Sequence, residues 1–394
     1  MKLKLNHLRH PVRTANRAKA LVVERLNMRR LAVRGERRFG SDARYDLQSV
    51  TDGFAARLDN GLDERRTDAA LLDRICTAYI KAVRPQHFAP DAYKATLWWE
   101  EVRHANLRPV MRALLNHNID ALGRMYRNFF RDACSTGLVG VPYGMTKPYL
   151  GVREAHRRLY LIDVLYRVDY WKSRTGGRLP VRDLAGPGIG NPFGVWMEGT
   201  LVEAGAEYRH YCAHTVGNLV DTETATVAEI GGGFGGMAYY LLRDRPGVTY
   251  ANFDVPESLA LASYYLVKAF PELKIVLYGE EATSGEAMAH ADVALLPLFE
   301  LAEAPAASVD VTFSSHAISD LSAEAAGVHF NNVARITRRH LLNIGNQRPG
   351  QLPVGLVGPP NESFKLSEMR TSEWNGHKLS NAAEVECLYS IDRI

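Results

Sequence analysis

The segment AEIGGGFGGMAYYLL, residues 228–242, sets five glycines within six positions between a short apolar run and an amphipathic stretch. Glycine inside a strand or helix costs roughly 0.5–1 kcal/mol relative to alanine, so such a cluster marks a place where the backbone turns sharply or touches something closely. The apolar run before it (226–230) and the helical pattern after it (Met237, Tyr240, Leu241) make it a strand–turn–helix junction. Such a junction offers a ligand close backbone N–H groups and the positive end of a helix dipole.

From about residue 224 onward, short β-branched or apolar runs alternate with helical segments. Seven runs read as strands: 226–230, 248–253, 274–278, 292–296, 309–314, 340–344 and 385–391. The alternation predicts an α/β fold, a seven-stranded, mostly parallel sheet with helices on both faces. A polar loop containing Trp374 before the last run suits a terminal antiparallel hairpin.

The preceding half reads differently. Leu71, Ile75 and Tyr79 recur at four-residue spacing, Asp120 to Phe130 repeats one apolar face, and Leu161, Val164, Leu165 and Val168 form another helical stripe. The stretches 137–151 and 185–194 are too rich in glycine and proline for regular structure. A chain of 394 residues also exceeds the usual size of a single core. We therefore divide it into a basic arm (1–45), a mostly helical region (46–220) and the sheet domain (221–394).

The arm holds thirteen Lys and Arg against Glu24, Glu36 and Asp42, an excess of ten, so the remainder of this +4 chain is mildly acidic. A solvated or subunit-packing helix accounts for the arm better than nucleic-acid binding, although an Arg-rich leader also reads this way. Nothing in the sequence is apolar for long enough to insert in a bilayer. Cys76, Cys134, Cys212 and Cys387 lie far apart, which fits reduced thiols in a cytoplasmic protein.

Two acids flank the glycine turn. Glu229 ends the first strand of the sheet and Asp254 ends the second, 18 positions after Gly236. Gly231, Gly233 and Gly236 satisfy a GxGxxG dinucleotide pattern, which would make the chain an NAD-dependent oxidoreductase. Glu229, Gly231, Gly233 and Gly235 equally satisfy ExGxGxG, the form used with S-adenosylmethionine. An acid at the first strand end suits the cationic amino group of that donor, and a carboxylate at the second suits ribose hydroxyls.

AEIGGGFGGMAYYLL followed by YANFDVPESLALASYYL resembles the sugar O-methyltransferase family, enzymes that use S-adenosylmethionine on a Rossmann-like fold. GNPFG (190–194), HYCAHTVGNL and VDVTFSSHAISDLS (309–322) extend the resemblance over roughly residues 160–345. It implies that Glu229, Gly231, Gly233 and Gly235 wrap the amino-acid end of the donor and that Asp254 binds its ribose. It further implies that Gly279 and Glu280 lie near the adenine; Ser315 is a further candidate cofactor-binding residue. Where the family often reads NTHSxxEM, this chain has Ser314 for the asparagine and Asp320 for the glutamate.

Methyl transfer to a sugar or glycoside hydroxyl needs alignment and one base. His316 follows a strand end on the site side, and imidazole titrates in the right range. Asp320, four residues later, would orient it or act as the base itself. Asn191, Tyr211 and Asn346 are the candidate acceptor-binding residues, with Tyr208, Arg209 and His210 clustered around Tyr211 on a helix that would cover the cofactor. No carboxylate/histidine ligand set is evident, so metal independence is expected. A homodimer is expected through the helical region. The non-enzymatic alternative is a basic-armed binding protein.

Overall fold

Residues 26–56, 64–139, 153–220, 224–347, 363–378 and 383–391 are described by the structure, a computed structural model. Most of the basic arm (1–25) and of the Gly/Pro-rich stretch (140–151) lies outside them. A small hairpin of β1 (Gly194–Met197) and β2 (Thr200–Glu203) precedes the main sheet. Its turn places Glu198 at φ 50° and Gly199 at φ 77°, the double left-handed conformation of a tight hairpin. An Asn–Gly or Asp–Gly pair would have announced that turn; Glu–Gly does not, and this hairpin inside the expected helical region is an addition to the sequence reading.

The main sheet comprises β3 (Thr226–Ile230), β4 (Thr249–Asp254), β5 (Ile275–Leu277), β6 (Val293–Pro297), β7 (Val309–Ser315), β8 (Thr337–Gln347), β9 (Phe364–Ser372) and β10 (Ala383–Ile391), in the order β5-β6-β4-β3-β7-β8-β10-β9. Pairings from β5 through β8 are parallel, and β10 runs antiparallel to both β8 and β9. The sheet thus has eight strands rather than seven. The extra one, β9, is an edge strand with mostly exposed residues between its two ends, and it lacks the apolar alternation that reveals a strand.

Side-chain alternation divides the core in two. Val227, Tyr250, Val293, Leu295 and Phe313 join the larger hydrophobic cluster, whereas Ala228, Ile230, Ala251, Phe253, Ala294 and Leu296 join a second one on the opposite face. Both faces of the central strands are therefore covered, as a parallel sheet requires. By the same alternation Glu229, Asn252 and Asp254 share the face of Val227 and Tyr250.

That face is the one the N-terminal helices cover. Leu72, Ile75 and Tyr79 of the Glu64–Phe88 helix and Leu161, Leu165 and Val168 of the Glu154–Arg174 helix belong to the same cluster as Val227 and Tyr250. Buried polar ties reinforce the contact. Trp99 Nε1 and Arg103 Nε each donate to Glu257 Oε1 at 2.5 Å, and Lys268 Nζ donates to Asp68 Oδ1 at 2.9 Å. Removing one member of such a buried pair costs more than the pair contributes, because the other charge is left desolvated.

Local signals set the helix starts. Pro256 begins the helix after β4, where its missing N–H is not needed. Thr283 and Glu286 form a reciprocal capping box, and Ser322 Oγ accepts from Ala325 N. The Leu47–Ala55 helix crosses β1 so closely that a Cβ on Gly53 would lie 2.2 Å from the Gly194 carbonyl oxygen. Backbone cannot yield there as a side chain would. Gly53→Ala is therefore expected to lower stability by about 1–3 kcal/mol, read as a lower midpoint in urea unfolding.

Candidate functional site

The chain reverses its direction of travel across the sheet at β3, with β4 on one side and β7 on the other. The carboxyl ends of parallel strands at such a reversal leave a crevice where ligands bind. A cavity of about 400 Å³ occupies it, floored by Glu229, Asp254 and Phe313 and walled by Gly231–Phe234. That volume falls within the roughly 300–1,000 Å³ of small-molecule clefts. Ser315, His316 and Asp320 reach the same space.

Hydrogen bonds to β4 hold the glycine turn in place. Gly231 N donates to the Phe253 carbonyl at 2.8 Å, Gly232 N to Asn252 Oδ1 at 3.1 Å and Gly233 N to Asp254 Oδ2 at 2.7 Å. Gly231 has φ 77°, and a Cβ there would strike the Ala317 methyl at 2.3 Å. A Cβ on Gly232 would lie 2.7 Å from Asn252 Oδ1. Gly235 lines no part of the cavity: at φ 85° it is the N-cap of the Gly236–Asp244 helix, and a Cβ would meet Leu266 at 2.9 Å. Its left-handed backbone and its packing account for that glycine.

The two acids are buried and carry no ion pair among the described contacts. Burial pushes the Glu229 carboxyl up to about 8, against a hydrogen bond from the Tyr250 hydroxyl. Burial likewise pushes Asp254 up to about 7, although Val255 N and Gly233 N both donate to it. Each Asp254 oxygen accepts one backbone N–H and retains a further lone pair. Charge on either group is unfavourable until a cation or a set of hydroxyl donors arrives.

His316 takes φ 65°, a strained conformation for a non-glycine residue, and its N–H donates to the Ile344 carbonyl at 2.7 Å. The ring Nε2 lies 3.2 Å from Glu384 Oε2 on β10. Burial lowers the imidazole's affinity for a proton, but the hydrogen bond and charge of Glu384, with Asp320 further away, outweigh it and leave the pKa raised. Burial alone would raise Glu384; hydrogen bonds from His316 and from the Ser372 hydroxyl leave it lowered, and hence ionised near neutrality. The imidazole's partner is thus Glu384 rather than Asp320. Residues 317–320 form a turn in which Asp320 N bonds back to the His316 carbonyl at 3.1 Å, and the Asp320 side chain stands exposed at the rim. Ser315 Oγ is paired with the Tyr208 hydroxyl at 2.7 Å.

Other expected site residues lie elsewhere. Gly279 and Glu280 follow β5, but β6 is the strand paired with β4, so their loop is displaced by one strand, about 4.8 Å. Leu298, just after β6, lines the cavity instead. Glu280 pairs with Arg74, and the Gly279 carbonyl accepts from Lys81 Nζ at 2.8 Å. Asn191 is buried at φ 54°, and its carbonyl accepts from Arg131 Nε at 2.8 Å, so the GNPFG segment cradles an arginine rather than an acceptor. Tyr211 sits one helical turn beyond Tyr208, where its hydroxyl donates to Glu386 Oε2 at 2.5 Å and accepts from Arg370 Nη2 at 2.6 Å in a separate cleft. Asn346 falls inside β8 as the backbone partner of Glu384, not in a loop after the strand.

Sequence reasoning passed over Glu384, Asn252 and Tyr250. For the last two a signal existed: in YANFD, residues at alternate positions share the face of Asp254. Glu384 had none, because its role depends on the antiparallel insertion of β10 beside β8. The four cysteines are free and buried, and among the described residues no group of three or more His, Cys, Asp or Glu could hold a metal ion. No described helix is long and apolar enough to cross a membrane.

No family model matches the chain, and no curated protein does. Solved structures resemble it in part. One, from Galdieria sulphuraria, is described as a sarcosine dimethylglycine methyltransferase, with 13% identity over 57% of this chain and 98% of that one and a TM-score of 0.37. A SAM-dependent methyltransferase from Aquifex aeolicus shows 17% identity over 46% of this chain and 89% of its own, TM-score 0.31. The mitomycin 7-O-methyltransferase MmcR shows 14% identity over 48% of this chain and 55% of its own, TM-score 0.30. The fold assignment rests on strand order and register, not on these likenesses.

The raised carboxyl pKa values set a pH dependence. Glu229 holds its proton to about 8 when folded but releases it near 4.5 when unfolded, so the folded state binds more protons in between. Its contribution is full below the unfolded value and is lost as pH rises through the folded one; Asp254 acts alike between 3.8 and about 7. Without ligand, the melting temperature is expected to fall across this window, and Glu229→Gln to flatten the decline in thermal scans at stepped pH.

Proposed function

We propose that the protein is an S-adenosylmethionine-dependent O-methyltransferase acting on a hydroxyl of a sugar or glycoside. The observation that carries this reading is the convergence on one cavity of Glu229 and Asp254, beneath a glycine turn, with an imidazole oriented by a buried carboxylate. Glu229 favours an aminated donor over a dinucleotide, since an ammonium group would relieve the cost of ionising a buried acid and a pyrophosphate would not.

Glu229 would hold the donor's ammonium group, and Asp254, with a free lone pair on each oxygen, its ribose hydroxyls. When bound, S-adenosylmethionine supplies an electrophilic methyl group on a sulfonium centre. His316 does the protein's share of the chemistry. With Nε2–H held by Glu384, Nδ1 is the atom free to take the acceptor's proton as the new C–O bond forms. The strained backbone at His316 and its bond to Ile344 fix the ring where alignment counts. Support for a sugar acceptor comes from the sequence resemblance and from the cavity mouth. The half-exposed Trp98 indole lines the cavity, as do Lys94 and Asp320, and a flat apolar surface with polar groups in the same lining suits the C–H face and hydroxyl edge of a pyranose.

Three measurements bear on this. S-adenosylhomocysteine is expected to bind in calorimetry, within roughly the 1 μM–1 mM range typical of enzyme ligands, with proton release near neutrality as Glu229 ionises beside the ammonium; NADH is expected not to bind. In labelled-methyl assays on a panel of sugars, His316→Ala is expected to lower kcat by about 10²–10⁴-fold, and Asp320→Ala far less. The rate is expected to rise with pH as His316 loses its proton, with a midpoint above the ordinary 6.5. Glu384→Gln removes the groups' mutual attraction and should move that midpoint to lower pH.

A further inference from the structure

Ser315 and Tyr208 form a hydroxyl pair in the main cavity that the chemistry at His316 leaves unused. Ser315 ends β7 and Tyr208 lies in the first turn of the Ala206–Gly217 helix; both line the cavity, and neither residue is fully buried. Their oxygens are 2.7 Å apart. The Tyr208 ring is braced edge-on against the buried Trp374 indole, with 5.2 Å between centroids. Burial holds its phenol in the protonated form. A hydroxyl has one hydrogen and two lone pairs, so one bond between two of them leaves a hydrogen and several lone pairs uncommitted. The other hydrogen-bonding neighbour of Tyr208 is the Cys212 thiol, one helical turn on, and sulfur is a weak partner.

The backbone brings this pair beside the imidazole. In an extended strand Ser315 and His316 would point to opposite faces of the sheet. The left-handed conformation of His316, φ 65°, breaks that alternation, and both side chains line one cavity. One peptide unit separates them, about 3.8 Å between Cα atoms. A spacing of that order fits hydroxyls on neighbouring carbons of a sugar ring, not hydroxyls across it. A sugar hydroxyl both donates and accepts, so it can take the pair's spare hydrogen and give its own to a spare lone pair.

We infer that Tyr208 and Ser315 hold the hydroxyl next to the one being methylated, so that the acceptor is a sugar carrying a vicinal diol. This rests on the sugar reading proposed above, and it gives Ser315 to the acceptor rather than to the donor. With one hydroxyl at His316 Nδ1 and its neighbour on the pair, the ring is held at two points, which aligns the reacting oxygen. An acceptor without the second hydroxyl would leave the pair unmatched.

The test uses the full-length protein in labelled-methyl assays. The probes are the methyl glycosides of glucose, galactose, mannose and rhamnose, each with its singly deoxygenated analogues. On a parent sugar that is methylated, loss of one adjacent hydroxyl is expected to lower kcat/KM by about 5- to 50-fold. Tyr208→Phe is expected to cause a similar loss on that parent and to leave the deoxygenated analogue within about threefold of its value with the native protein. S-adenosylhomocysteine affinity, read by calorimetry, is expected to change less than about threefold. Ser315→Ala carries the same comparison if Tyr208→Phe does not fold. No loss on deoxygenation, or equal losses on parent and analogue, would overturn the inference and leave the sugar reading standing. So would an S-adenosylhomocysteine affinity weakened about tenfold or more, which would assign the pair to the donor. S-adenosylhomocysteine binding with no sugar of the panel methylated would overturn the sugar reading and the inference together.

Discussion

Two carboxylates buried side by side at the ends of adjacent parallel strands are the constraint around which this molecule is arranged. Glu229 and Asp254 face the same layer, and among the described residues neither has a counter-charge in hydrogen-bond contact. A folded chain tolerates that only by keeping them largely protonated or by meeting them with donors. The Tyr250 hydroxyl and the Gly233 and Val255 amides are those donors. The glycine turn follows from the same need: three consecutive amides reach the end of β4 only if the backbone lies flat against it, and a Cβ at 231 or 232 would prevent this.

The N-terminal helices make the burial possible. They cover the acidic face of the sheet, and their attachment is partly ionic, through Glu257 with Trp99 and Arg103 and through Asp68 with Lys268. Such desolvated pairs add little net stability compared with an apolar contact of the same shape, but they accept few alternative arrangements. The helical region and the sheet share one hydrophobic cluster, so the geometry over the cavity is set by core packing rather than by loops alone.

How far the sequence discloses this depends on the range of each interaction. The strand–turn–helix junction at 226–242 and the acid at the end of β4 are local patterns, written in periodicity and glycine spacing. The order of strands is not local. Nothing in residues 274–297 says that β6 rather than β5 pairs with β4, and that choice moves Gly279 and Glu280 out of the site. Asp320 was legible as a neighbour of His316 along the chain, but a turn replaced the assumed helix. Glu384, far away in sequence, became the true neighbour through the antiparallel β10. Asn191 and Tyr211 carry chemistry-bearing side chains whose partners, Asn128 for the first and Glu386 and Arg370 for the second, are structural.

The position of β10 has a consequence for the newborn chain. Strands β3 to β8 emerge from the ribosome in an order that lets the crevice and its two acids assemble as they appear, since domains form from the N-terminal end during synthesis. Yet β10 must slot between β8 and β9, the latter made earlier and left without a neighbour until then. The nascent protein therefore passes through an interval with an unpaired β8 border and an imidazole lacking its carboxylate. Of the described strands β10 is the last in chain order, and its arrival both joins β9 to the sheet and brings Glu384 to the His316 ring.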